Sequence, residues 1–220
     1  MDRAALATHL RSKVQLQQRL ERECMATGIA RFDAATGGVP RGAITELYGP
    51  ASSGKTTFLH AFIANASASG EFCALIDGSD SFDPSSATAA GTDLRRLLWV
   101  RCNGLEQAIR SADLLVHSGG WGVVVLDLSD IRADHLRKLP LSYWHRFKRA
   151  VENTPTAFLV LDREPQAKNC AAMTLELPRA SAVWSGSHPD FRLLRGLDVR
   201  ITPRKPVHSH QAVFRAKALA

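Results

Sequence analysis

Tyrosine and methionine are scarce, and no cysteine or histidine spacing in the chain points to zinc. The 220 residues include two Tyr, three Met and four Cys. The cysteines, Cys24, Cys73, Cys102 and Cys170, form no C-x-x-C pair and have no histidine cluster beside them, which argues against a zinc site and for reduced thiols. Cys73 falls inside an apolar run, where a thiol packs as a small hydrophobe. No apolar stretch reaches the roughly 18 residues of a membrane span. The opening residues MDRAALATHLRSK lack the unbroken apolar segment of a signal peptide. The expectation is a cytoplasmic protein with no membrane partner. Internal repeats and low-complexity linkers are also missing. Acidic residues are outnumbered, 21 against 28 Lys and Arg, for a formal charge of +7. That balance suits an anionic partner, either nucleic acid or an acidic protein surface, and equally a basic but passive surface.

Hydrophobic residues make up 45% of the chain, enough for one α/β domain. Residues 3–23 read as an amphipathic helix, with Leu6, Leu10, Val14, Leu16 and Leu20 on one face and Arg3, Arg11, Arg19, Arg22 and Glu23 on the other. Such a helix either packs on its own domain or docks on a neighbour. Beyond it, strands are expected at 43–48, 71–77, 97–100, 121–127 and 156–161, and helices at 56–68, 105–117 and 142–152. WGVVVLD is a continuous apolar run of the kind found in a central parallel strand covered on both faces. After residue 161 strands recur without long helices, in MTLEL, LDVRIT and QAVFRA. Alternating strands and helices predict a three-layer α/β fold, a mostly parallel sheet with antiparallel edge strands. The chain divides into an N-terminal helix (1–25), a nucleotide-binding core (26–202) and a basic tail (203–220).

GPASSGKT matches G-x-x-x-x-G-K-[ST] in full and sits between an expected strand and an expected helix. Its glycines let backbone N–H groups wrap a phosphate, and the helix start adds its positive dipole end. Gly49, Pro50, Ala51, Ser52, Ser53, Gly54, Lys55, Thr56 and Thr57 are therefore candidates to hold ATP or ADP. Lys55 reaches toward the β- and γ-phosphates, and Thr56 is a candidate Mg²⁺ ligand. VVVLD ends at Asp127, an acid closing a hydrophobic strand, where a carboxylate orients the Mg²⁺ shell. Taken alone, that acid also reads as an Asp capping a turn.

The stretches GGVPRGAITELYGPASSGKTTFLHAFIA, CALIDGSDSFDP and WGVVVLD, in this order and spacing, resemble the RecA recombinase core. The resemblance covers roughly residues 27–127 well and continues weakly to about 202. It implies a RecA-like P-loop fold, a site for ATP and Mg²⁺, contact with single-stranded DNA or with a RecA-like partner, and self-association through the N-terminal helix. It also marks departures. The position of the water-activating Glu is occupied by Ser79, and a serine is no carboxylate base. Asp80 is the neighbouring acid available to substitute, with a shorter reach and a shifted position. Asp83 keeps its place beside the nucleotide, while Ser86 stands where an aromatic ring packs on adenine. Arg163 stands where a Gln senses the γ-phosphate. The short length, the leading helix, KNCAAMTLEL and WSG…LLRGLDVR resemble the ImuA type of short RecA relatives. Those act in damage-induced, translesion mutagenesis beside the inactive polymerase relative ImuB.

Residues 132–149 collect Arg132, Arg137, Lys138, Arg146, Lys148 and Arg149 against Asp134, with Tyr143, Trp144 and Phe147 interleaved. Lys and Arg neutralise phosphates and aromatics stack on bases. Spacing favours Trp144 and Phe147 as core residues. Arg132, Arg137 and Lys138, together with Arg163 and Lys168, are the candidates for DNA or partner contact. The leading functional expectation is a nucleotide-binding accessory protein with weak or absent hydrolysis. The main alternative is an active DNA-stimulated ATPase that uses Asp80 or a neighbouring subunit's residue as base. A small-molecule kinase and an idle scaffold are the remaining readings.

Overall fold

The computed structural model describes residues 23–186, 192–206 and 211–217. Its apolar runs become adjacent strands of one sheet. In chain order the described elements are β1 (Cys24–Met25), α1 (Ala30–Thr36), β2 (Val39–Pro40), β3 (Ala43–Tyr48), α2 (Lys55–Ala68), β4 (Cys73–Asp77), α3 (Pro84–Ala89), β5 (Leu97–Arg101), α4 (Leu105–Ser118), β6 (Val123–Asp127), α5 (Ala133–Leu136), α6 (Leu141–Val151), β7 (Ala157–Asp162), β8 (Ala171–Glu176), β9 (Ser181–Ser185), β10 (Leu193–Lys205) and β11 (Ala212–Lys217).

The main sheet runs β5-β4-β6-β7-β3-β8-β10-β11, with β9 paired on β10. Every pairing from β5 to β8 is parallel, and β10 runs antiparallel to β8, β9 and β11. The mostly parallel α/β architecture with antiparallel edge strands is the expected one. Side chains along each central strand alternate between two cores. Val123 and Val125 of β6 and Leu159 of β7 pack with Phe32, Phe58 and Phe62 from α1 and α2. Val124, Leu126 and Phe158 pack on the opposite face with Trp144 and Phe147 of α6. Burial on both faces explains why these strands are unbroken Val/Leu runs.

Trp144, Phe147 and Val151 form the buried stripe of α6, and the Phe147 ring meets Phe158 edge to face at 5.5 Å. These aromatics belong to the core, while Tyr143 is partly exposed. Cys73 is fully buried, and burial pushes its thiol up to about 12.

Some boundaries differ from the sequence reading. Residues 1–22, which hold nearly all of the expected N-terminal helix, lie outside the described residues. The end of the 1–25 span is a strand: Cys24–Met25 pairs antiparallel with Val39–Pro40. Of the stretch read as a basic tail, residues 203–205 finish β10 and 212–217 form β11, so those segments lie in the sheet. Pro203 does not interrupt β10, whose register shifts between Pro203 and Lys205. Helices α1, α3 and α5 and strand β9 were not expected from periodicity.

Candidate nucleotide site

The site forms where parallel strands end. β3 leaves the sheet at Tyr48 and the chain turns through residues 49–54 into α2. Packing explains both glycines of the motif. A Cβ on Gly49 would lie 2.0 Å from the Leu177 carbonyl oxygen. A Cβ on Gly54 would lie 2.6 Å from a Val199 methyl, and Gly54 has φ +91, a left-handed backbone that side chains disfavour. The Gly49 N–H donates to the Asp162 carbonyl at 3.1 Å, fastening the loop to β7.

Pro50 to Thr57 line one wall of a cleft of about 330 Å³. Ser81, Asp127, Ser129, Asp130, Arg163 and Leu197 complete it. The Lys55 ammonium is buried and donates to the carbonyls of Gly49 and, at 3.1 Å, Pro50. Burial lowers its pKa, and the negative charge of Asp127 opposes that. The Ser53 hydroxyl is buried without a hydrogen-bond partner among the described residues. Asp127, at the end of β6, accepts from the Ser129 N–H at 2.9 Å. Burial raises its carboxyl, the Ser129 hydrogen bonds oppose this, and Asp77 and Asp130 add to the rise. The donor set fits a magnesium–polyphosphate group: a converging ammonium, an unsatisfied hydroxyl, the Thr56 hydroxyl at the helix start, and a carboxylate in a dry wall.

The structure adds acids that sequence reasoning passed over. Asp77 ends β4 directly beside Asp127 in register. It is buried, and it accepts from the N–H groups of Ser79, Ser81 and Phe82 and from Trp99 Nε1. Asp77 thereby shapes the loop that delivers Ser81 to the cleft. The signal was present in CALID, a buried strand ending in an acid, as VVVLD does. Asp162 ends β7 and is buried. Its Oδ1 accepts from the Arg163 N–H at 2.6 Å, and its Oδ2 has no partner among the described residues. Burial raises its carboxyl to about 7, with the Glu46 charge adding to the rise. Glu46 lies buried in β3. One oxygen accepts from the N–H groups of Gln166 and Ala167, the other is unpartnered among the described residues, and burial raises its pKa too.

Other expected site residues are drawn elsewhere. Asp80 does not line the cleft, because Arg101 holds its carboxylate in a two-pronged ion pair. Asp83 caps α3, accepting from the N–H groups of Ser85 and Ser86 and from the Ser86 hydroxyl. That duty turns it toward its own helix. Arg163, which the resemblance sets where a Gln senses the γ-phosphate and which is also a candidate for DNA or partner contact, lines the cleft. Its guanidinium donates to the Ser129 carbonyl at 2.8 Å and to Asp130 at 2.9 Å. Arg132 pairs with Asp134 and Arg137 with Glu164. Lys138 lines a separate cleft of about 670 Å³ between α4 and α6. Lys168 is exposed with φ 48, on the turn before β8. The site therefore gathers the phosphate loop, Asp127 and Arg163, and leaves Asp80, Asp83, Arg132, Arg137, Lys138 and Lys168 outside it. No helix among the described residues is long and apolar enough to cross a membrane.

Comparison with known proteins agrees with the fold. The model of the RecA N-terminal domain matches residues 10–133. Protein RecA of Deinococcus radiodurans is 42% identical over 117 residues, covering 52% of this chain and 32% of the relative. Protein RecA of Paramagnetospirillum magneticum is 46% identical over 112 residues, covering 50% of this chain and 31% of the relative. Protein RecA of Cutibacterium acnes is 46% identical over 114 residues, with 50% and 32% covered. The chain thus spans about a third of the length of the relatives it matches. With its phosphate loop, its mostly parallel sheet and a family match over more than half its length, the chain belongs to the RecA N-terminal domain family.

Proposed function

We propose that this chain is a RecA-like accessory protein that binds ATP with Mg²⁺ and hydrolyses it weakly or not at all. The carrying observation is a cleft equipped for binding and underequipped for water activation. Lys55, Ser53, Thr56 and Asp127 line it, yet Ser79 occupies the loop where a carboxylate base belongs and Asp80 is bound to Arg101. In this reading the loop amides and Lys55 hold the phosphates, Thr56 and Asp127 hold the metal, and Arg163 faces the terminal phosphate. The bound metal neutralises phosphate charge.

The resemblance to the ImuA type supports a role in the DNA damage response and translesion mutagenesis in the cytoplasm. An ImuB-like polymerase subunit or RecA would be the protein partner, and the N-terminal helix a surface for self-association. Single-stranded DNA contact through Arg132, Arg137, Lys138 and Lys168 requires the exposed ion pairs of Arg132 with Asp134 and Arg137 with Glu164 to yield to phosphates, which such pairs do readily.

Equilibrium binding of a fluorescent ATP analogue, followed by turnover with and without single-stranded DNA, tests the reading, with Lys55→Ala as control. Binding lost in the control and turnover near background is the expected result. Strong DNA-stimulated turnover in the unmodified protein would favour the second reading, an active recombinase-type ATPase, for which the intact Lys55, Thr56 and Asp127 speak.

A further inference from the structure

The loop after β4 carries one carboxylate with no part in holding the backbone. Asp77 gathers the N–H groups of Ser79, Ser81 and Phe82, and Asp83 caps α3. Asp80 sits between these anchors. Its φ of 55 is left-handed, a conformation disfavoured for a side-chain-bearing residue. Its carboxylate is gripped by Arg101, Nε to Oδ1 at 2.6 Å and Nη2 to Oδ2 at 2.5 Å. Arg101 is itself fixed. It stands in register with Asp77 across the β4–β5 pair, and its guanidinium lies 5.1 Å from the centroid of the Trp99 ring. The Trp99 indole in turn donates to Asp77.

Ser81, one residue beyond Asp80, lines the phosphate cleft, whereas Asp80 does not. The acids that do line it are engaged: Asp127 accepts from Ser129, and Asp130 accepts from Arg163. Among the acids of this loop, Asp80 holds no backbone N–H group, so it can change partner without loosening the loop. Its side chain is 49% exposed and that of Arg101 61%, and pairs so exposed contribute little net stability and open readily.

We propose that the Asp80–Arg101 pair is a latch that keeps a carboxylate out of the phosphate cleft, and that opening it turns a binding site into a hydrolytic one. This rests on the nucleotide-binding reading above. Arg101 is a positioning residue, and the released Asp80 is the general base. A carboxylate oxygen of Asp80 takes a proton from water as the water oxygen bonds to the γ-phosphorus. The bond from that phosphorus to the β–γ bridging oxygen breaks, its electron pair leaves with ADP, and the proton passes from Asp80 to the inorganic phosphate.

The test compares Arg101→Gln and Arg101→Ala with the unmodified chain, alone and combined with Asp80→Ala. Binding of a fluorescent ATP analogue, ATP turnover and thermal melting are measured on each. Both Arg101 variants should raise kcat about fivefold with unchanged KM and unchanged analogue binding, the scale of an exposed pair's closing equilibrium. Adding Asp80→Ala should remove the gain, and Asp80→Ala by itself should lower turnover to the background of the Lys55→Ala control. Turnover that stays flat in both folded Arg101 variants, or a gain that survives loss of Asp80, overturns the latch. If the unmodified chain binds no analogue, the nucleotide reading falls and the latch with it. Intact binding with flat turnover sinks the latch alone.

Discussion

Replacing Asp162 by Asn should stabilise the protein at alkaline pH and change little near pH 4. Asp162 is 1% exposed, and burial with the Glu46 charge lifts its carboxyl from 3.8 to about 7. The charges acting on it come from Glu46 on β3 and Lys55 on α2, and the Arg163 N–H and the Gln166 side chain oppose the rise. Below about pH 4 both folded and unfolded chains carry the proton, and the group has no effect on folding. Between about pH 4 and 7 the unfolded chain ionises while the folded one keeps its proton, so stability falls as pH rises through that window. A displacement of this size corresponds to about 4 kcal/mol, a ceiling reached above pH 7. Asn keeps an oxygen to accept from the Arg163 N–H and never ionises. Urea unfolding at pH 5 and pH 8 measures the difference, since the midpoint reports stability at constant slope. The unmodified protein should lose about 2–4 kcal/mol between the two pH values, and Asp162→Asn distinctly less, with Glu46 supplying the remainder. Parallel pH dependence in the two proteins would refute the assignment of a buried, proton-holding Asp162.

Asp77→Ala should cost about 3–5 kcal/mol, because three loop N–H groups and the Trp99 indole lose a charged acceptor together, and a lowered urea midpoint reads this out. Trp144→Ala, at a fully buried position against Phe147, should cost about 3–5 kcal/mol by the same assay while leaving nucleotide affinity per folded molecule unchanged. Gly49→Ala drives a methyl onto the Leu177 carbonyl, so it should destabilise the loop and abolish binding of the ATP analogue even in chains that retain native circular dichroism.

What the sequence revealed divides along the line between local and non-local causes. The phosphate loop was legible because its determinants are contiguous: a strand, two glycines with forced geometry, and the start of a helix. The central strands were legible because burial on both faces writes an unbroken apolar run, as in Val123–Leu126. Short elements without an apolar period were not. α3 reads PSSATA, and its only local mark was Asp83 before Pro84, an N-cap followed by a proline at the first helical position. That mark also accounts for Asp83 facing its own helix, a role that family resemblance passes over. The charged residues were hardest to assign, because their partners arrive from other strands. Asp80 is defined by Arg101 at the end of β5, Arg163 by Ser129 and Asp130 after β6, and Arg137 by Glu164 after β7. A basic run counted along the chain therefore overstates the free positive charge of the folded surface. Arg132 and Arg137 already have acids beside them, so nucleic acid would have to displace Asp134 and Glu164. Any DNA affinity carried by these residues should consequently weaken steeply with salt.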